Sequence, residues 1–552
     1  MTEKRWAAPV VERHQGMLFT SLDEMLAPDH VIRVVDAVLT PMDWSEWERP
    51  YLNDDRRGQP PLHPSLVAGC ILYGLTRKIR SSRELEEATR ERLDFMWFLD
   101  GRTIDHATFA AFRTRFKAML KDLNRDLVRR ISQACDRALE MLVSDGTRER
   151  ANSDRHGART AEGLERLIQR HTAVHNERLE QMEAADAKED AESEKIADLE
   201  KEIQRLEEQI TKYETAAEVA RERDQDRRAK MGSKASGVSV PVTDPDSMIV
   251  PNKEGGHAPN YTPTVTVDAA SGAIVLAHVP EGAQENTAVL LAVEEAKHLG
   301  ATPKAFMADT SFATGPNLEQ LAAQDITPIM PTGTDFRSRN PANRPDPTQP
   351  VPQDQWTHLP KTGKTFGPSA FIYDEQHDEY RCPMGKPLTP QGKGRRRNGA
   401  RYTSYGCAGC QGCPLASQCL DKGTSARTIT RDQYQHLRDE TGRRMATEEG
   451  IALYQKRAPL VETVFARIKQ HLGIRGFLLR GLDKVRAEWD WICCAYNLKI
   501  LLGLYRQGPN GPGSTRIPSL HALLSCLQRH ISLDQRPRTF NNEAKPNEIH
   551  AM

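Results

Sequence analysis

Several things are missing from this 552-residue chain. No apolar run approaches the roughly 20 residues that a helical membrane span requires. The opening MTEKRWAAPVVERHQG has no apolar stretch of the kind that forms the core of a secretory signal. The expectation is therefore a cytoplasmic protein with no membrane partner. Net charge is missing too, since 76 Lys and Arg stand against 76 Asp and Glu. A zero total excludes a uniformly basic coat but leaves room for a basic groove, because an acidic segment elsewhere cancels in the sum while only the local field acts on a phosphate. Ten cysteines in so long a chain, read as cytosolic, exclude a disulfide framework and direct attention to metal spacing. What is present is ordinary for a soluble protein: 38% hydrophobic and 28% charged residues, over a length that exceeds one hydrophobic core and predicts two to four domains.

Residues 1–130 read as an all-helical domain. Ser21 precedes Leu22, Met25 and Leu26 at helical spacing, the segment 64–74 is apolar enough for a buried helix, and shorter helices are expected over 82–89 and 105–117. The last carries Arg113, Arg115 and Lys117 beside Phe109, Phe112 and Phe116, a helix-turn-helix-like arrangement with a basic face. A helical bundle with solvated charges explains the same residues. From 161 to 232 the chain is highly charged, and Ile196, Leu199, Ile203, Leu206, Ile210, Tyr213 and Ala217 recur at steps of three and four. Leu164, Leu167, His171 and Val174 offer a partner stripe, so an antiparallel coiled-coil hairpin is expected, with pairing between chains as the rival.

Residues 233–331 predict an α/β layer: a hairpin from 261–267 and 273–279, a helix over 285–299, a strand over 304–308, a helix over 316–323 and a strand over 326–330. Five prolines between 341 and 352 make 332–365 a loop, and the remainder to about 440, which holds five of the ten cysteines, reads as irregular; 332–444 is thus a loop and cysteine-rich insertion. Helices return over 445–455, 460–471 and 483–505, within a segment 445–506, and a Gly- and Pro-containing tail, 507–552, follows.

Three acids sit where rigid elements deliver them. Asp145 follows Leu142-Val143-Ser144 at a strand end, in a segment 131–160 that precedes the charged hairpin, and Asp309 follows Ala305-Phe306-Met307-Ala308 in the same way. Glu462 lies on a helix whose buried stripe is Val461, Val464, Phe465, Ile468 and Leu472, with Lys469 on nearly its own face. Two carboxylates at strand ends and one on a packed helix can hold two Mg²⁺ ions roughly 4 Å apart, which activate water and stabilise a leaving 3′ oxygen. Magnesium takes hard oxygen ligands, which suits Asp and Glu. Asp268 competes for the second place but opens a hairpin turn; Glu448, Glu449 and Glu488 compete for the third.

The segments Ser144-Asp145-Gly146-Thr147 with Ala151-Asn152-Ser153, then Ala308-Asp309-Thr310-Ser311-Phe312, then Tyr454-x2-Arg457-x4-Glu462-x6-Lys469 resemble the DDE transposases of bacterial insertion sequences. The likeness continues through 471–481 and 487–499, and residues 31–116 resemble the N-terminal helical domain of that group. The gap between Arg457 and Glu462 is one residue longer than in better-known relatives. The resemblance implies an α+β multidomain enzyme with a ribonuclease-H-like core, interrupted by the hairpin and the cysteine-rich insertion. It implies Mg²⁺ or Mn²⁺ on Asp145, Asp309 and Glu462, and DNA contacts from Tyr454, Arg457 and Lys469. The substrates would be double-stranded DNA, both the element's inverted-repeat ends and the target, and the working form a homodimer. A non-catalytic DNA-binding derivative and a metal-dependent nuclease without strand transfer are the alternatives.

Cys407, Cys410, Cys413 and Cys419, with the upstream Cys382, have zinc-ribbon or knuckle spacing. Five candidates for four places leave the set open, with Cys382, Cys410, Cys413 and Cys419 preferred; reduced thiols packing a loop are the other reading. Cys70, Cys135, Cys493, Cys494 and Cys526 read as buried apolar residues. The run Lys393, Arg395, Arg396, Arg397 and Arg401 is either a solvated loop or a phosphate contact, with Arg396 as its representative. Helical spacing assigns Trp489 and Trp491 to core packing.

Overall fold

The computed structural model describes residues 21–51, 61–135, 139–186, 193–231, 237–251, 255–282, 284–333, 335–337, 339–397 and 400–507. The N-terminal residues 1–20 and the tail beyond 507, with Cys526, lie outside the described residues. The chain forms two compact units, one of Met1–Arg130, Ala134–Asp136 and Cys494–Met552, the other of Ile131–Gln133 and Arg137–Cys493.

The first unit is helical. Ser21 opens the helix Leu22–Met25 through a capping box with Glu24. The main helices are α1 (Val31–Leu39), α2 (Pro64–Thr76), α3 (Ser82–Glu91), α4 (His106–Arg115) and α5 (Leu120–Cys135). Pro64 occupies the first turn of α2, where its missing N–H costs nothing, and every residue from Pro64 to Leu75 is buried, so this helix is apolar all round. Trp47 stacks on Phe112 and Phe116, at 5.8 and 5.0 Å between ring centres. Those aromatic rings and Phe109 are each buried, which stabilises the unit by about 2 kcal/mol per ring. One polar cluster interrupts the core: Tyr73 Oη donates to Asp94 (2.7 Å), which Arg92 grips with two further hydrogen bonds.

The second unit is built on a mixed five-stranded sheet. Its strands are β1 (Met141–Gly146), β2 (Thr264–Asp268), β3 (Ile274–His278), β4 (Ala305–Met307) and β5 (Thr327–Ile329), in spatial order β5-β4-β1-β2-β3. β1, β2 and β3 form an antiparallel meander, and β4 and β5 add in parallel on the other side of β1. Between β1 and β2 the chain makes two long helices, α6 (Ala161–Asp186) and α7 (Ser193–Met231). Pairs from Glu165 with Arg221, through His171 with Tyr213 and His175 with Glu207, to Arg178 with Glu202 show that these two helices run antiparallel within one chain. The hairpin base is closed where Ala158 pairs with Pro241 and Arg159 with Val240. Helix α8 (Ala288–His298) joins β3 to β4, and α9 (Gly315–Ala323) joins β4 to β5. The helix expected over 285–299 thus begins later, behind a 3-10 turn Glu285–Thr287.

The reading of residues up to about 440 as irregular is corrected. A second, antiparallel sheet contains β6 (Ile372–Asp374), β7 (Glu379–Arg381), β8 (Pro387–Arg397), β9 (Ala400–Cys407) and β10 (Thr428–Asp432) in sequential order. Its strands carry Gly, Arg and Thr where apolar alternation would have announced them, and its core joins Tyr380, Leu388, Tyr405 and Ile429 from the strands to Val351, Leu359, Phe366, Phe371 and Leu415 from the loops, with the cysteines. The proline-rich loop is packed against this sheet, because Arg344 donates to the carbonyls of Pro347, Gln349 and Cys382 and Val351 N–H donates to Pro383 O. Helices α10 (Gln435–Ala446), α11 (Glu448–Gln455) and α12 (Arg457–Ala466) follow, the break between the first two falling at Thr447, which caps α11. After α12 the backbone widens into a π-helical turn, Arg467–His471, and α13 (Leu482–Gln507) closes the described chain. Trp489 and Trp491 are buried in it.

Candidate active site

β1 and β4 pair in parallel with Val143 opposite Met307. Two residues further along each strand direction come Asp145 and Asp309, so strand register alone carries the two carboxyl groups to the same end of neighbouring strands. Burial raises the pKa of Asp145, and the negative charge of Asp309 adds to the rise, while the Arg457 guanidinium opposes it. Asp309 is held by the turn that follows it: its Oδ1 accepts from the Ser311 N–H (2.7 Å) and hydroxyl (2.6 Å).

Helix α12 lies along β1. Arg457 Nη1 pairs with Asp145 Oδ2 at 3.2 Å, and the Arg457 guanidinium also sits over the Tyr454 ring at 5.7 Å. Twelve residues on, in the π-helical turn, Lys469 Nζ donates to Thr147 Oγ1 (2.9 Å) and pairs with Glu149 (2.8 Å). Two basic residues therefore fasten the helix to the end of β1 and the turn beyond it. Glu462 stands between them in sequence and is exposed. The structure brings Asp145, Asp309, Arg457 and Tyr454 into one neighbourhood and sets Lys469 beside it. It does not gather the Glu462 carboxylate with the two aspartates into a closed ligand cluster. Among the described residues the one group of three His, Cys, Asp or Glu side chains with ligand atoms all within 4.8 Å is Asp374, His377 and Glu379. That group is a hairpin turn. Asp374 accepts from the Gln376 and His377 N–H groups and the His377 ring, and Glu379 pairs with Arg381, so its geometry is satisfied without an ion.

The competitors for the triad have structural employment. Asp268 is buried and accepts from Ser271 N–H (2.8 Å) and Oγ (2.7 Å), closing the β2–β3 turn. Glu488 accepts from the N–H groups of Leu478 and Leu479, anchoring the loop before α13. Glu448 and Glu449 lie in the first turn of α11, where the helix dipole favours acids.

Glu285 was not legible in the sequence, where an acid at a helix start needs no further explanation. In the structure its carboxyl group fills the space that a side chain at Gly146 would occupy: a Cβ there would lie 2.5 to 2.8 Å from the Glu285 carboxyl atoms. Burial first, and then the charges of Asp309 and Asp145, push the Glu285 pKa up to about 7, with Arg148 opposing. Three carboxyl groups thus share one partly buried space, and the absence of a side chain at position 146 is what admits the third.

The other basic residues are placed as follows. Arg113 donates to the Arg80 carbonyl (2.9 Å) and braces α4, whereas Arg115 is exposed and stacks on Tyr51 at 5.4 Å. Arg396 is exposed on β8 directly opposite Arg401 on β9, an apposition of like charges that favours an anionic neighbour. Cys382, Cys407, Cys410, Cys413 and Cys419 line one cavity.

Carboxylates presented at the end of a mixed sheet, with cations at their side, are the kind of arrangement that metal-dependent phosphodiester chemistry uses. Residues 381–502 match the family model described as a Transposase DDE domain, a stretch that takes in Tyr454, Arg457, Glu462 and Lys469, and residues 20–115 match one described as a Transposase domain (DUF772). These two matches support an insertion-sequence DDE transposase. No curated protein matches it. No helix among the described residues is long and apolar enough to cross a membrane.

Proposed function

We propose that the protein binds the terminal inverted repeats of its own insertion sequence, cleaves to free 3′-OH ends and transfers those ends to target DNA, using Asp145, Asp309 and Glu462. The observation that carries this reading is the parallel register of β1 and β4, which delivers Asp145 and Asp309 together at the place where α12, the helix bearing Glu462, is fastened by Arg457 and Lys469. The meander followed by two parallel strands is the order expected of a ribonuclease-H-like core, which supports the same reading.

The donor set fits divalent metal. All three carboxyls are hard oxygen ligands, and burial first, then the neighbouring negative charge, raises the proton affinity of Asp145 and Glu285, as suits a place that gains by binding a cation. Mg²⁺ or Mn²⁺, when bound as a pair, supplies activation of water and stabilisation of the leaving oxygen. Asp145, Asp309 and Glu462 would hold it. Arg457 keeps Asp145 ionised and oriented, its own side chain steadied over Tyr454. Lys469 is placed to meet a backbone phosphate next to Thr147, and Arg115 and Arg396 to meet phosphates further from the reacting bond.

In this reading residues 1–130 recognise the ends, with Arg113 bracing the helix that carries Arg115. The ribonuclease-H-like core comprises 131–160, 233–331 and 445–506. Residues 161–232 and 332–444 are insertions, respectively the coiled-coil hairpin and the cysteine-rich segment, and 507–552 form a tail. Two ends need two sites, so a homodimer is the working form on DNA, in the cytoplasm at the nucleoid.

The test is incubation of the purified protein with Mg²⁺ and DNA carrying its flanking repeats, with nicks and joined products mapped separately. Replacing Asp145, Asp309 or Glu462 by Ala should lower cleavage by ~1000-fold, the scale on which one group that stabilises developing charge is felt, while leaving end-binding intact. Normal cleavage by all three variants overturns the assignment. Cut but never joined products would make the protein a nuclease, and binding without cutting a non-catalytic derivative.

A further inference from the structure

The cysteines in the second sheet take no part in the proposed chemistry, yet five of them, from four separate places in the chain, line a single cavity together with the apolar Phe366, Phe371 and Leu415. Cys382 follows β7 in a tight turn, and the N–H groups of Met384 and Lys386 point at its sulfur. The turn requires Gly385, whose φ is +74° and whose missing Cβ would meet the Thr348 carbonyl oxygen at 1.9 Å. Cys410 accepts from the Arg427 N–H at 3.4 Å. Cys413 lies on the next turn, and Cys419 ends the short helix Ala416–Cys419. Two cations, Lys386 and Arg427, stand in the cavity wall beside the sulfurs. The cysteines are packed into the segment's own hydrophobic core, beside Phe366, Phe371 and Leu415.

Four sulfurs on one zinc stand about 3.8 Å apart, which follows from a Zn–S length near 2.3 Å in a tetrahedron. The thiols have not closed to that spacing, so the ligands must be those whose backbone can move. Cys407 cannot: it is the last residue of β9, opposite Leu388 on β8, and its N–H donates to the Arg427 carbonyl. The other four sit on turns or at a helix end. We propose that Cys382, Cys410, Cys413 and Cys419 bind one structural zinc ion, with Cys407 as a neighbouring thiol hydrogen-bonded to Cys382 rather than a ligand.

The full-length protein, reduced and purified with zinc, should retain one zinc per chain by elemental analysis. Cobalt in its place should give the near-ultraviolet sulfur-to-metal charge-transfer bands and the visible bands of a tetrahedral thiolate site. Cys382→Ser, Cys410→Ser, Cys413→Ser and Cys419→Ser should each lose stoichiometric metal; Cys407→Ser and the distant Cys70→Ser should keep it. Should a variant fail to fold, alkylation of the unaltered protein decides the matter. The four ligands should be protected with zinc present and become reactive on chelation. Absence of stoichiometric zinc and cobalt, unchanged alkylation on chelation, or loss of metal from Cys407→Ser with retention in any one of the four overturns the proposal. Metal content is read without DNA, so this result and that of the cleavage assay are independent.

Discussion

Glu285 keeps a proton where an ordinary glutamate has lost it, because burial and the two neighbouring aspartates disfavour a third negative charge. The consequence for stability has a definite sign. Below the ordinary carboxylate range both folded and unfolded chains hold the proton. As pH rises from the ordinary value of 4.5 to about 7 the unfolded chain releases it and the folded chain does not, so stability falls through that window and stays lower above it. Glu285→Gln should therefore raise Tm at about pH 8 and leave it unchanged at about pH 4. Equal shifts at the two pH values, measured by thermal unfolding, would show that charge burial is not the cause. Asp145 and Asp309 could be read from sequence because each ends a short apolar run, Leu142-Val143 or Phe306-Met307, that only a strand explains. Glu285 could not, because its position depends on a tertiary vacancy at Gly146 that no local pattern encodes.

At the scale of elements, periodicity succeeded where one face of a helix or strand is apolar. The heptads of α6 and α7 predicted a hairpin but left open whether its partner was the same chain. Contacts such as His171 against Tyr213, at 5.0 Å between ring centres, place the pairing within one chain. Substituting both, His171→Cys with Tyr213→Cys, and oxidising should cross-link the protein at monomer mass on a denaturing gel; a dimer band would mean that the helices pair between chains. The second sheet escaped notice for the converse reason. β8 runs through Gly392, Gly394, Arg395 and Arg396 with no apolar alternation, and its partner β9 supplies only Tyr405 and Cys407 to the core. Helix α10 was not expected, and the helix expected from 445 begins at Glu448, where Thr447 Oγ1 accepts from Gly450 N–H and caps it.

Across the whole molecule the insertions are separable in a way that the linear sequence hides. The ends of the α6–α7 hairpin meet where Arg159 pairs with Val240, and the hairpin has its own core of Leu164, Ala216, Ala217 and Ala220 with Val240. Replacing residues 161–237 with a short Gly- and Ser-rich turn should therefore leave a protein that unfolds cooperatively, with Tm within about 5 °C of the parent. Differential scanning calorimetry checks this, and collapse of the transition would show that the hairpin is part of the core. The fold of the sheet was legible in outline, since hairpin, helix, strand, helix and strand were each found in order. What was not legible is which distant segment each would meet.

Lys469 reaches Thr147 across 322 residues of chain, and Arg457 reaches Asp145 across a similar stretch. A ribosome making this protein therefore releases the first aspartate and the first strand long before the helix that fastens to them exists. Until that helix emerges the early carboxylates are an unfinished surface, so in the proposed function the site is completed only when synthesis is nearly over.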